Sequence, residues 1–149
     1  MTSELKLRIQ TDLIAARKNR DKPRTLVLST ALSEIRNREI DLGAEIDDEG
    51  VTRVLTRAIK QRRDASEQMR RGGRGDLADT EDAQAAVLGE YLPEGMSEDE
   101  VRAIVRELIS TGVTRMGPLM GQVMPRIQGR FDGKEANRIV REALESEQR

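Results

Sequence analysis

Any chemistry this chain performs must be built from serine, lysine, arginine and carboxylates, because it contains neither histidine nor cysteine. Without histidine it lacks the commonest general base and the commonest metal ligand. Without cysteine, disulfides, thiolate zinc sites and thiol nucleophiles are excluded. Ser-His-Asp and Cys-His sets therefore cannot form. A Ser-Lys pair is possible on paper, but Ser3, Ser29, Ser33, Ser66, Ser97, Ser110 and Ser146 sit in no recognisable nucleophile setting. The "GGRG" at Gly72–Gly75 lacks the preceding strand that a phosphate-cradling loop requires. The sequence thus assigns no catalytic residue, no metal ligand and no cofactor, and the chain is not expected to be a catalyst by itself.

Cations are the stronger signal. Arg53 to Arg74 holds eight basic residues against Asp64 and Glu67, and Arg115 to Arg141 holds six against Asp132 and Glu135. The second group surrounds an interruption, "GQVMPRIQGRFDGKEANRIV", in which helix-spaced apolar residues are broken by Pro125, Gly129 and Gly133. At about 100° per residue, Lys134, Arg138 and Arg141 share one narrow stripe of the last helix. Ala136, Ile139, Val140, Ala143 and Leu144 centre on the opposite side, so the cations point outward once the core is buried. Arg126 and Arg130 flank Gly129 at the turn before it, and the helix start near Gly133 and Lys134 adds backbone N–H groups. The corner is suited to an anion, most simply a phosphate. A plainer reading stands beside this one. Gly129 and Gly133 could serve only a tight turn with positive φ, and the i,i+4 pairs Arg138–Glu142 and Arg141–Glu145 could simply solvate a face. No aromatic stacking platform accompanies the cations, which disfavours base-specific single-strand binding and leaves shape and backbone recognition of a folded RNA.

These side chains must be positioned by helices. The 149 residues are 36% charged and 36% hydrophobic, with one Tyr, one Phe and a net charge of −1. Attraction to nucleic acid would then have to come from local patches. No apolar run approaches the roughly 20 residues that span a bilayer, and the acidic residues near the N-terminus argue against a signal peptide. A cytoplasmic protein without a membrane partner is expected. Periodicity predicts helices over 3–20, 23–42, from Asp47 or Asp48 to "RRGGRGD", and over 77–92 with Leu77, Val87, Leu88 and Tyr91 inward. Pro93 and Gly95 mark a boundary. A capping box from Ser97 to Glu100 opens a fifth helix that stops near Gly112, and a sixth covers 117–127. A seventh starts at Asp132, an N-cap with Glu135 three residues on. The fold class is all-α: an N-terminal four-helix bundle over 1–92 followed by a C-terminal three-helix subdomain over 93–149. Arg62 falls inside the apolar stripe of the third helix. It is expected to snorkel or to pair with Glu34 or Glu90, in a structural role.

Three separated motifs, "IKQRRDASEQ", "EYLPEGMSEDEV" and "MGPLMGQVMPRIQGRFDGKEANRIV", occur in order. Together they resemble the YqeY-like proteins of the GatB/YqeY family over nearly the whole chain. The C-terminal part is also similar to the tail of the B subunit of tRNA-dependent amidotransferase, which converts Glu-tRNA(Gln) or Asp-tRNA(Asn) to the amide with glutamine as nitrogen donor. The resemblance implies a helical bundle followed by a three-helix unit, and a tail that contacts the body of a tRNA. The matching positions are Gly121, Met124, Gly129, Asp132, Gly133, Asn137 and Val140, with basic residues at Arg126, Arg130 and Lys134. Phe131 replaces a usually small residue, so the turn should pack differently. Arg115 replaces an acidic cap, which weakens the start of the sixth helix. The family carries the label carbon–nitrogen ligase with glutamine as amido-N-donor, but this chain matches neither the Ser-Lys amidase subunit nor the ATP-using domain of the amidotransferase.

The expected function is that of a non-catalytic tRNA-binding or tRNA-associated accessory protein. Its interface would comprise Arg126, Gly129, Arg130, Gly133, Lys134, Asn137, Arg138 and Arg141. The alternative is a component of a transamidation assembly that docks on amidotransferase subunits or an aminoacyl-tRNA synthetase, with Met116, Met120 and Met124 as an adaptable surface if they are not simply core.

Overall fold

The computed structural model describes residues 3–148, and among these it contains seven helices and no strand. The helices fall into two compact units divided after Leu92.

The first unit holds α1 (Glu4–Lys18), α2 (Lys22–Leu42), α3 (Asp48–Arg71) and α4 (Gly75–Gly89). Local chemistry sets their ends. The Ser3 hydroxyl accepts from the Lys6 amide, Asp21 from Arg24 and Asp47 from Gly50, so three of the four N-termini have side-chain caps. Gly43 closes α2 at φ 70°, a left-handed conformation in which a Cβ is strained. Asp48 accepts from the Ser3 hydroxyl and, at 3.1 Å, from the Leu5 amide, which ties the start of α1 to the start of α3. The Ser3 hydrogen bond, followed by that of Leu5, holds the Asp48 carboxyl below the usual range. Ile9, Leu28, Ile35, Val51, Leu55 and Leu88 form the aliphatic centre. Tyr91 seals one end: it is 4% exposed, and its hydroxyl donates to Asp12.

Helix α4 begins two residues before the predicted start. Gly73, at φ 77°, turns the chain within three residues of α3. The inward face of α4 is centred on Ala78, Ala85 and Leu88, and Leu77, expected inside, lies at its edge in the first turn and is 42% exposed.

Arg62 is buried, as its place in the stripe of α3 required. Its Nη1 donates to the Ala58 carbonyl at 3.0 Å and its Nε to Gln84 at 3.3 Å. Of the two predicted acids, Glu34 lies 3.9 Å away. Glu90 pairs instead with Arg24, at 3.0 Å.

The second unit holds α5 (Glu98–Ser110), α6 (Met116–Ile127) and α7 (Gly133–Glu147). The Ser97–Glu100 capping box is present in both directions. Val101, Val105, Leu119, Val123, Ile127 and Ile139 form the core. Phe131 packs against that core from the turn, which is how the larger side chain is accommodated. Arg115 stands at the N-cap of α6 and makes no cap bond.

Candidate nucleic-acid interface

The interruption is a turn between two helices. Pro125 lies in the last turn of α6, where it removes the N–H that would have bonded the Gly121 carbonyl. The amides of Arg130 and Phe131 both donate to the Ile127 carbonyl, at 2.8 and 3.1 Å. Gly129, between Ile127 and Arg130, has φ 74°. Of the two glycines suspected of positive φ, only Gly129 has it. Gly133 is the first residue of α7, and a Cβ there would meet Met124 Cε at 3.4 Å, an ordinary contact. Its bare backbone leaves the start of α7 open.

The expected cap of α7 does not form. Asp132 has extended backbone angles suited to an N-cap, but its carboxylate accepts no amide of α7. Glu135, which would complete a box, accepts instead from Arg138 Nε at 3.1 Å and Nη2 at 2.8 Å. A guanidinium with two donors in one plane is the stronger partner for a carboxylate than one backbone N–H. The first-turn N–H groups of α7 therefore have no side-chain partner.

The candidate cations differ in what surrounds them. Arg138 contacts three carboxylates: Glu135, Glu142 at 2.9 Å and Glu98 of α5 at 3.3 Å. Arg102 joins the same network through Glu98 at 2.7 Å and Glu142 at 3.1 Å. Glu135, then Glu142, raise the Arg138 guanidinium further above its ordinary value, while Arg102, then Arg138, hold Glu98 and Glu142 below the usual carboxylate range. The Arg138–Glu142 pair of the plainer reading forms, and around it the stripe presents an ion-pair network between α5 and α7. Arg141 turns to Asn137, donating from Nη2 at 3.0 Å, and the suspected pair with Glu145 does not form. Arg126 faces Glu107 at 3.5 Å.

Arg130 and Lys134 are different. Arg130 Nε donates to the Glu94 carbonyl at 2.8 Å, and the Arg130 carbonyl accepts from the Met96 amide, also at 2.8 Å. The turn is thereby fixed to the segment before α5. Among the described residues, neither Arg130 nor the exposed Lys134 has a carboxylate partner. Backbone carbonyl contacts leave a guanidinium's charge in place, so this pair flanks the uncapped start of α7 with positive potential. No sequence signal pointed to Glu94, which acts through its backbone; Glu107 was missed because its partner lies on another helix.

The denser basic run, Arg53 to Arg74, is largely consumed by carboxylates of α3 and α4. Arg63 pairs with Asp82, Arg70 with Asp79 and Asp82, Arg71 with Glu67 and Arg74 with Asp76. Met116 and Met120 pack on the core of the second unit, as the plainer reading held, whereas Met124 is 38% exposed beside Gly133. Among the described residues no group of three or more carboxylates is placed to hold a metal ion, and no helix is long and apolar enough to cross a membrane.

The class defined by these features is an all-helical chain with two uncompensated cations, Arg130 and Lys134, at the α6–α7 turn. The family model of Yqey-like proteins matches residues 6–144, and the chain belongs to that family. It is 37% identical over 89 residues to an uncharacterized protein of Schizosaccharomyces pombe, covering 60% of this chain and 72% of the relative. It is 28% identical over 143 residues to Altered inheritance of mitochondria protein 41, mitochondrial, of Pyrenophora tritici-repentis, covering 92% and 79% of the two chains. A shorter match, 40% identical over 58 residues, reaches a glutamyl-tRNA(Gln) amidotransferase polypeptide of Thermococcus sibiricus and covers 36% of this chain but 9% of that relative.

Proposed function

We propose that this protein is a non-catalytic accessory factor that binds tRNA through its phosphate backbone in the service of tRNA-dependent amidation. The observation that carries the reading is the α6–α7 corner, where Arg130 and Lys134 stand beside a helix start without a side-chain cap. N–H groups and uncompensated cations at one turn suit phosphate oxygens and carry no base code. Arg126 and Arg141 extend the surface on either side, with Gly129, Gly133 and Asn137 shaping it. Arg138 belongs to it only as a structural ion pair. Similarity to part of a glutamyl-tRNA(Gln) amidotransferase supports tRNA as the polyanion. The units 1–92 and 93–149 are proposed as domains, a four-helix bundle and a tail-like three-helix subdomain. The proposed compartment is the one in which tRNAs are charged, the cytoplasm for this chain, although several relatives carry a mitochondrial name.

The test is fluorescence anisotropy of labelled tRNA titrated against salt. Arg126→Ala, Arg130→Ala and Lys134→Ala combined should weaken binding. The slope of log K against log salt should flatten by about 0.7 to 0.9 for each phosphate that the variant no longer neutralises. Absence of binding by the unmutated protein at low salt, or an unchanged slope, rejects the reading.

The exposure of Met124 at the same corner favours a second reading, in which the chain joins a transamidation assembly by docking on amidotransferase subunits or a synthetase. Glutamine-dependent carbon–nitrogen ligation would then belong to the assembly. Nuclease-insensitive co-purification with those subunits, abolished in Met124→Asp, separates it from the first.

A further inference from the structure

The turn from α1 to α2 sets positive charge where local stability does not call for it. Arg20 has φ 55°, the one left-handed residue other than glycine among those described. Its amide donates to the Arg17 carbonyl at 3.2 Å and the Asp21 amide to the Ala16 carbonyl at 3.0 Å. A helix that ends this way ordinarily has glycine at the left-handed position. Lys22 occupies the first position of α2, where a cation opposes the helix dipole, and the first turn of α2 has no acidic residue. Arg17, in the last turn of α1, is the only one of the three that its own helix favours.

These three cations line one recess of about 510 Å3, together with Thr25, Ser29 and Leu26. None of them has a carboxylate partner among the described residues, in contrast to Arg24, which is committed to Glu90. Leu26 is 59% exposed and also borders a second recess of about 570 Å3 between α2 and α4, whose apolar wall is Pro23, Val27, Ala83 and Val87. The two recesses meet over Leu26, one basic and one apolar. The acids at the apolar recess are already engaged, since Asp21 caps α2 and Asp79 pairs with Arg70.

We infer that this groove docks an acidic amphipathic helix from a partner protein. Its apolar side chains would cover Leu26 and enter the α2–α4 recess, and its carboxylates would meet Arg17, Arg20 and Lys22. Charge complementarity argues for this occupant, because the rim is cationic and uncompensated while the floor is aliphatic. A nucleic acid fits less well, because the floor offers no ring for base stacking while its aliphatic side chains suit apolar ones. A second copy of the chain docked face to face on the same groove would bring the like-charged rims of Arg17, Arg20 and Lys22 together.

The test uses the full chain and a labelled synthetic helix with leucines at i, i+3, i+4 and i+7 and glutamates between them. A scrambled peptide of the same composition is the control. The patterned peptide should bind, the scrambled one much more weakly, and Leu26→Asp should reduce affinity about tenfold or more, as for a central contact. Arg20→Gly should also weaken binding while leaving the thermal midpoint unchanged or raised, because glycine suits the left-handed position. Loss of binding in that variant therefore cannot be ascribed to unfolding. Equal binding of the scrambled peptide, or wild-type affinity in both variants, overturns the proposal. So does a groove that serves RNA, shown by Arg17→Ala with Lys22→Ala abolishing tRNA binding while the peptide fails to bind. A wild-type dimer that Leu26→Asp converts to monomer in sedimentation would likewise overturn it, in favour of self-association.

Discussion

Removing the charge of Arg62 should matter less than removing its bulk. The side chain is buried in α3, yet its nearest carboxylate, Glu34, lies at 3.9 Å and is 34% exposed. Two unit charges at that distance would attract by about 4 kcal/mol at an effective dielectric of 20, a value that solvent around Glu34 and the cost of ordering both side chains reduce to about 1 kcal/mol. Glu34→Gln should therefore cost about 1 kcal/mol, well short of the 3–5 kcal/mol expected when a fully buried pair is broken. Arg62→Met keeps most of the stem's packing and removes the desolvated charge. The groups it orphans are the Ala58 carbonyl, within a helix, and the half-buried Gln84, which can turn to water. That variant should fall within about 1 kcal/mol of wild type. Arg62→Ala leaves a void between α3 and α4 and should cost about 2–4 kcal/mol, like other large-to-alanine changes in a core. Urea unfolding followed by tyrosine fluorescence measures this cleanly, because the single tyrosine, Tyr91, lies in the first unit and the chain has no tryptophan. With a slope near 2 kcal/mol per molar urea, about 1 kcal/mol moves the midpoint by roughly 0.5 M. An Arg62→Met protein as destabilised as Arg62→Ala would refute the reasoning, since it would mean that charge, and not packing, is what Arg62 supplies.

Four other outcomes are expected. Arg138→Ala should lower the thermal midpoint, because Glu98, Glu135 and Glu142 lose their shared cation, while the salt slope of tRNA binding stays unchanged. Stability should fall in acid: Lys6 holds Glu39 below its ordinary value, Arg70 does so for Asp82, and Arg102 for Glu98 and Glu142. Groups depressed in the folded state stabilise it above their unfolded values of about 4, and that contribution disappears as pH falls through the lower folded values, so thermal midpoints should drop progressively between about pH 5 and pH 2. Burial, followed by the hydrogen bond to Asp12, pushes the Tyr91 phenol up to about 12. Its absorbance should titrate near there rather than near 10, Asp12→Asn should lower the midpoint, and stability should be lost as pH rises from the unfolded value through the folded one. Gly43→Ala, at φ 70° in open space, should cost about 1–2 kcal/mol from backbone strain alone, read as a lower midpoint in the same urea titration.

Much of this protein is a local matter. Helix periods, the Ser97–Glu100 box and Gly43 as a stop follow from interactions within a few residues, and these survive in any tertiary context that permits a helix. The start of α4 was less legible, because Gly73 allows the chain to turn sooner than the apolar pattern suggests. The candidate site divides along the same line. That Lys134, Arg138 and Arg141 lie on the outer side of α7 is a property of spacing. That Arg138 is neutralised is only half such a property: Glu135 and Glu142 are helix neighbours, but Glu98 comes from α5, 40 residues away, and brings Arg102 with it. Likewise nothing local distinguishes Arg130, which the Glu94 carbonyl fixes without cancelling its charge, from Arg126, which meets Glu107 across a helix pair. For α7 the sequence alone determined which side chains face water. Only the packing of helices decided which of their charges remain available, because compensation requires two groups within a few ångströms, and distance in space is not written in chain order.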